Sequence, residues 1–132
     1  MVQNMAPVDT INVLYIEDNF INVRLVTRML RQTCYEVSWA DSVEGGIALA
    51  IREHPDVIIL DMHIPEVNGY DALKLIKAHD DLKFIPTIVL TADPSELLRE
   101  KCMALGVDDY QFKPISRQRL LQSLDTITQK RA

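Results

Sequence analysis

Each of five residues that suit phosphoryl chemistry closes a short apolar run. Glu17 and Asp18 follow Ile11-Asn12-Val13-Leu14-Tyr15-Ile16, and Asp61 follows Val57-Ile58-Ile59-Leu60. Thr91 follows Thr87-Ile88-Val89-Leu90, and Lys113 follows the run at 107–112. Three carboxylates gathered at one edge repel one another, and a divalent cation resolves that repulsion. Mg²⁺ takes oxygen ligands, usually one or two carboxylates with waters and phosphate oxygens. A lysine supplies a point charge for an anion, and a threonine supplies a hydroxyl donor. Metal, cation, donor and an in-line nucleophile are the parts that stabilise a transferring phosphoryl group. No activated Ser, Cys or His stands at these ends. The nucleophile is therefore a carboxylate, and Asp61, central and directly after a buried run, is the candidate.

The elements that must deliver these residues are legible as an alternation. The runs at 11–16, 35–39, 57–60, 87–90 and 107–112 read as strands, and the third and fourth are apolar enough to be covered on both faces, as in a parallel sheet. Helix-length segments lie between them. Asn19 caps one reaching about Arg31, and Asp41 or Ser42 caps one reaching His54, where Pro55 ends it. Val43, Ile47, Ala50 and Ile51 of that second segment share a face. A third helix follows Asn68-Gly69 and carries Leu73 and Ile76. A fourth is expected to begin at Pro94 and to stop before Gly106, and a fifth starts near Ser116 and buries Leu120, Leu121, Leu124 and Ile127. Alternating strands and helices imply right-handed βαβ units in an α/β fold: a flavodoxin-like, doubly wound, five-stranded parallel sheet of order 2-1-3-4-5 with five helices. That architecture puts a ligand site at the carboxyl ends of the strands, where the five residues fall.

Composition narrows the partners. The chain has 132 residues, 48% hydrophobic and 25% charged, enough for one compact domain that needs no metal or disulfide staple. Its formal net charge of −5, with no basic stripe, argues against nucleic acid. No run approaches the roughly 18 apolar residues of a membrane span, so no membrane partner is expected. Residues 1–10 lack the basic and apolar regions of a secretion signal and read as a flexible tail, with a domain over 11–130. Cys34 and Cys102 match no metal spacing and read as buried free thiols of a cytoplasmic protein. There is no GxGxxG and no GxxxxGK[ST], and the acidic loop after the first strand repels a phosphate cofactor that lacks its own metal.

The residues also carry a family resemblance. Tyr15-Ile16-Glu17-Asp18-Asn19, then Ile59-Leu60-Asp61-Met62-His63-Ile64-Pro65 with Gly69, then Leu90-Thr91-Ala92, then Phe112-Lys113-Pro114, together resemble a response-regulator receiver domain over about residues 11–130. The resemblance implies that Asp61 accepts phosphoryl from a phosphohistidine on a sensor histidine kinase or a histidine phosphotransfer protein. It implies Mg²⁺ ligation by Asp18, Asp61 and the backbone carbonyl of His63, with Glu17 helping through water. Lys113 would pair with the carboxylate and later with a phosphate oxygen. Thr91 would hydrogen-bond the phosphate, Tyr110 would swing inward as Thr91 moves, and Lys113-Pro114 would be cis. Met62, His63, Ala92, Asp93 and Pro114 would form the rim. Output to an unknown downstream protein would use the face built from helix 4, strand 5 and helix 5.

Such a chain is a phosphoacceptor, with only slow self-catalysed phosphorylation and dephosphorylation. The Glu-Asp-Asn opening and Lys-Pro-Ile-Ser segment are similar both to single-domain regulators and to receiver pieces of hybrid sensor kinases. An aspartyl-phosphate phosphatase of the haloacid dehalogenase type would need a second acid two residues after Asp61, where His63 stands. His63 and Asp93 are the positions expected to affect water access and hydrolysis. Phe20 and Ile115 read as a docking surface for a kinase, and Trp39 as packed at the sheet.

Overall fold

The computed structural model describes residues 10–63 and 68–129. Residues 1–9, including most of the expected tail, and Ile64 and Pro65 of the second motif lie outside the described residues. The chain alternates β1 (Ile11–Ile16), α1 (Phe20–Met29), β2 (Tyr35–Ala40), α2 (Val43–Glu53), β3 (Val57–Asp61), α3 (Gly69–Ala78), β4 (Thr87–Thr91), α4 (Glu96–Ala104), β5 (Asp109–Phe112) and α5 (Arg117–Gln129). The strands form one sheet of order β2-β1-β3-β4-β5, and every neighbouring pair is parallel. The expected doubly wound architecture is the one found.

Side chains that alternate along each strand feed two cores. Leu14, Ile16, Ile58 and Leu60 face a cluster with Ala50 of α2, Leu73 and Ile76 of α3 and Cys102 of α4. Val13, Tyr15, Val57 and Ile59 face the other, with Val23 and Val26 of α1 and Leu120, Leu124 and Ile127 of α5. β3 and β4 are buried along their whole length, as their continuous apolar runs require. Each of these aliphatic side chains contributes roughly 1.5–3 kcal/mol by leaving water, which anchors the strands whose last residues carry the site.

Capping side chains fix the helix starts. Asn19, Ser42, Asn68 and Ser95 each accept a backbone N–H of the first turn, from Ile21, Gly45, Asp71 and Leu98 respectively. Of the two candidates before α2, Ser42 is the cap. The fourth helix departs from expectation: it begins at Glu96, and Pro94 stays in the preceding loop. The reason is local. The Ser95 hydroxyl outcompetes proline as a helix start, because the Ser95 N–H is already held by Asp93 Oδ1 at 2.9 Å. The first helix stops at Met29, short of Arg31, and Gln32 then turns the chain with φ 62°. β5 begins at Asp109, later than expected, whereas β2 runs one residue longer, to Ala40. Cys102 is buried, but Cys34 is only half-buried, and both are free thiols. No helix among the described residues is long and apolar enough to cross a membrane.

Candidate functional site

β1 and β3 are adjacent, so the ends of both strands deliver acids to one place. Oxygens of Glu17, Asp18 and Asp61 lie within 4.8 Å of one another. Glu17 is fully buried and Asp61 is 2% exposed, whereas Asp18 faces solvent. Lys113, at the end of β5, reaches across with its Nζ 3.2 Å from Asp61 Oδ2 and 3.3 Å from Glu17 Oε1. Its peptide bond to Pro114 is cis. The His63 N–H donates to Asp61 Oδ1 at 3.1 Å. Asp61 thus presents one oxygen to a backbone donor and the other to an ammonium.

Thr91 ends β4 beside β3, with Asp61 opposite Leu90 in the register. The Thr91 hydroxyl is buried, accepts the Asp93 N–H at 2.9 Å and lies 3.5 Å from His63 Nε2. Tyr110 is already inside. Its ring belongs to the core cluster under α3 and α4, and its hydroxyl is buried with no hydrogen-bond partner among the described residues. Of the expected rim, Met62 is buried, Asp93 is half-buried, and His63, Ala92 and Pro114 are exposed.

The electrostatics follow from burial. Desolvation pushes the Glu17 carboxyl above its usual range, and the neighbouring Asp61 pushes it further, while Asn22 and Lys113 pull it back only in part. Among the described residues three carboxylates face one ammonium, so the cluster is short of positive charge. It fits a divalent cation, because it offers hard oxygen donors, two of them buried, around a point that one lysine does not neutralise.

A family model for the response regulator receiver domain matches residues 13–125. The chain belongs to that family. It is similar to the polar-differentiation response regulator DivK of Brucella ovis, 32% identical over 115 residues that span 87% of this chain and 94% of that protein. In structure it is similar to the chemotaxis protein CheY4 of Vibrio cholerae, with a TM-score of 0.82, 27% identity, and coverage of 89% of this chain and 98% of that one. It is also similar to the receiver domain of a sensor histidine kinase from Pseudomonas aeruginosa, at TM-score 0.79 and 32% identity, covering 89% and 96%. That structure has a magnesium ion coordinated in its active site cleft. Receiver domains are modules of two-component signal transduction that work with histidine kinases and downstream proteins.

Three side chains of this receiver site were not among the sequence candidates. The Tyr15 hydroxyl donates to Glu17 Oε1 at 3.1 Å, and Asn22 Nδ2 donates to the same oxygen at 2.8 Å. The Trp39 indole N–H donates to the Glu17 carbonyl at 2.6 Å. Strand periodicity held the signal for Tyr15, which precedes Glu17 by two on the same face. Burial, reinforced by the charges of Glu17 and Asp61, raises the Tyr15 phenol far enough that it stays a donor. Trp39 is 38% exposed and lies against Phe20 with ring centroids 5.3 Å apart, so it packs at the site's edge and not in the sheet core.

Proposed function

We infer that this receiver domain, over residues 11–130, accepts a phosphoryl group on Asp61 from a phosphohistidine of a histidine kinase or phosphotransfer protein. The observation that carries this reading is the buried Asp61 carboxylate, held between the Lys113 ammonium and the His63 N–H and beside Glu17 and Asp18. An Asp61 oxygen attacks phosphorus and forms the acyl-phosphate bond. The P–N bond to the donor imidazole breaks, and its electron pair stays on that nitrogen. Lys113 shifts from carboxylate to phosphoryl oxygen, and the Thr91 hydroxyl donates to another oxygen. Asp18, Asp61 and the His63 carbonyl would hold Mg²⁺ directly, and Glu17 would hold it through water. When bound, Mg²⁺ neutralises the crowded carboxylate and phosphoryl oxygens.

A groove of about 360 Å³ opens beside Lys113 and is lined by Leu25, Val26, Ala92, Pro114 and Ile115. With exposed Phe20 at its end of α1, it supports docking of the phosphodonor protein within reach of Asp61. Phosphorylation adds about −1.5 to −2 charge at the edge that carries Thr91, and the state that brings Thr91 and Lys113 closer gains population. Output would use the face of α4, β5 and α5, elements on which Leu97 of α4 and Phe112 of β5 are exposed. Incubation with Mg²⁺ and acetyl phosphate is the test. Intact-mass analysis should show one added phosphoryl group, absent without Mg²⁺ and absent in Asp61→Asn. Equal labelling of that variant would defeat the reading.

A further inference from the structure

Asp18 is the one carboxylate of the cluster that faces solvent, and its side chain has no hydrogen bond or ion pair among the described residues. Its neighbour Glu17 is tied by Tyr15, Asn22 and Lys113. Asp18 is therefore aimed by its backbone alone. The peptide joining Glu17 to Asp18 is planar, so the direction of the Glu17 carbonyl fixes where the Asp18 N–H and Cα lie. That carbonyl receives the Trp39 indole N–H at 2.6 Å. The Glu17 N–H is held at the same time by the Ala40 carbonyl at 3.0 Å. Both backbone groups of Glu17 are thus fixed by the end of β2, with Trp39 opposite Tyr15 in the strand register.

Packing alone does not explain the indole. Its ring is more than a third exposed, and its aromatic neighbour, Phe20, is itself exposed. A phenylalanine or leucine would supply the same partial contact. Only the indole N–H reaches the carbonyl.

We propose that Trp39 is a positioning residue for metal binding: its indole N–H orients the Glu17–Asp18 peptide and so aims Asp18 at the acidic cluster. The proposal rests on the reading of Glu17, Asp18 and Asp61 as a Mg²⁺ site. Groups that orient metal ligands without touching the metal change affinity by roughly 10–100-fold. Here the ligand is still connected through a folded strand, so the lower end applies.

The test is calorimetric titration of the full chain with MgCl₂ for the wild type, Trp39→Phe and Asp18→Asn, alongside acetyl phosphate labelling at a series of Mg²⁺ concentrations. Trp39→Phe keeps an aromatic ring and loses the N–H. It should bind Mg²⁺ about tenfold more weakly and label at the wild-type rate once Mg²⁺ saturates. A purely packing role would lower the melting temperature and leave the Mg²⁺ affinity alone, which would overturn the proposal. A wild type that binds no Mg²⁺, or an Asp18→Asn variant that binds like the wild type, would instead overturn the metal-site reading beneath it. A second measurement covers a variant that does not fold. Trp39 is the single tryptophan, so its indole N–H gives one resonance in a ¹⁵N-labelled wild-type spectrum. That resonance should move during the Mg²⁺ titration with the calorimetric midpoint, and a resonance that stays still overturns the proposal.

Discussion

Lys113 Nζ bridges two buried carboxylates from different strands, at 3.2 Å from Asp61 and 3.3 Å from Glu17. The arrangement links β5 to β1 and β3 across the top of the sheet, and it is the main charge compensation inside the cluster.

Removing that ammonium leaves the buried carboxylates of Glu17 and Asp61 facing each other. Loss of one partner from a fully buried ion pair costs roughly 3–5 kcal/mol, and the 23% exposure of the Lys113 side chain brings the cost somewhat below that range. Lys113→Ala should therefore lose about 2–3 kcal/mol in urea unfolding without divalent cations, on the scale of buried-pair disruption. Saturating Mg²⁺ should recover much of that loss, because a cation then faces the same oxygens. A variant as stable as the wild type in EDTA contradicts the compensating role.

Tyr110 makes the opposite case. Its hydroxyl is buried without a partner among the described residues, and desolvation raises its pKa. A buried hydroxyl that makes no hydrogen bond costs about 1–3 kcal/mol in desolvation. Tyr110→Phe keeps the ring that packs edge-on to Phe112 at 5.6 Å and removes the orphaned oxygen. It should be as stable as the wild type or up to about 1 kcal/mol more so in urea unfolding. A clear loss of stability would show that the hydroxyl is bonded in solution, for instance to Thr91.

What the sequence showed and hid divides along one physical line. Asp61, Thr91 and Lys113 were legible because each ends an apolar run, and a parallel sheet sends the ends of such runs to one edge. The capping oxygen of Asn19 was legible for a similar local reason, a polar side chain directly before a helical pattern. Trp39 and Asn22 were not, because their partner is another strand or another turn and neither stands in a periodic position of its own. Pro94 misled: a proline before an acidic helical segment reads as a first helical residue, yet the Thr91–Asp93–Ser95 series of backbone bonds to side chains moves the start to Glu96. Tyr110 was placed on β5 correctly, but its inward ring follows from core packing that residue order does not show.

Gly69 opens α3 against the backbone that follows Asp61. A Cβ there would meet Met62 Cα at 2.4 Å and the Met62 carbonyl oxygen at 2.7 Å, and the Gly69 N–H donates to that same carbonyl. By contrast, a Cβ at Gly46 would meet the buried side chain of Ile16 and not the backbone that follows Asp61. Gly69→Ala must push the Met62 backbone, one residue from Asp61, and should cost about 1–3 kcal/mol in urea unfolding. Asp61 labelling by acetyl phosphate should slow as well, since the His63 N–H and carbonyl follow directly. Gly46→Ala should label at the wild-type rate. Equal labelling of both variants would detach the start of α3 from the geometry of the site.

Acid sensitivity should come in part from Asp109, far from the cluster. Burial pushes its carboxyl up, but hydrogen bonds from Gln111 Nε2 at 2.8 Å and Ser123 Oγ at 2.5 Å, with the Tyr110 N–H, pull it below its ordinary value of 3.8. A depressed folded-state pKa means that the unfolded chain takes up the proton first as pH falls. The stability tied to Asp109 is therefore complete above the unfolded value and is lost as pH drops from about 4 through the lower folded value. Ser123 sits on α5 and is buried, so Ser123→Ala also strands one carboxylate lone pair. That variant should lose about 1–2 kcal/mol at pH 7, the worth of a hydrogen bond to a charged group. Its deficit should shrink in urea unfolding series below pH 4, where the wild type loses the same bond. A deficit that stays constant from pH 7 to pH 3 would show that Ser123 stabilises by packing and not through the Asp109 carboxylate.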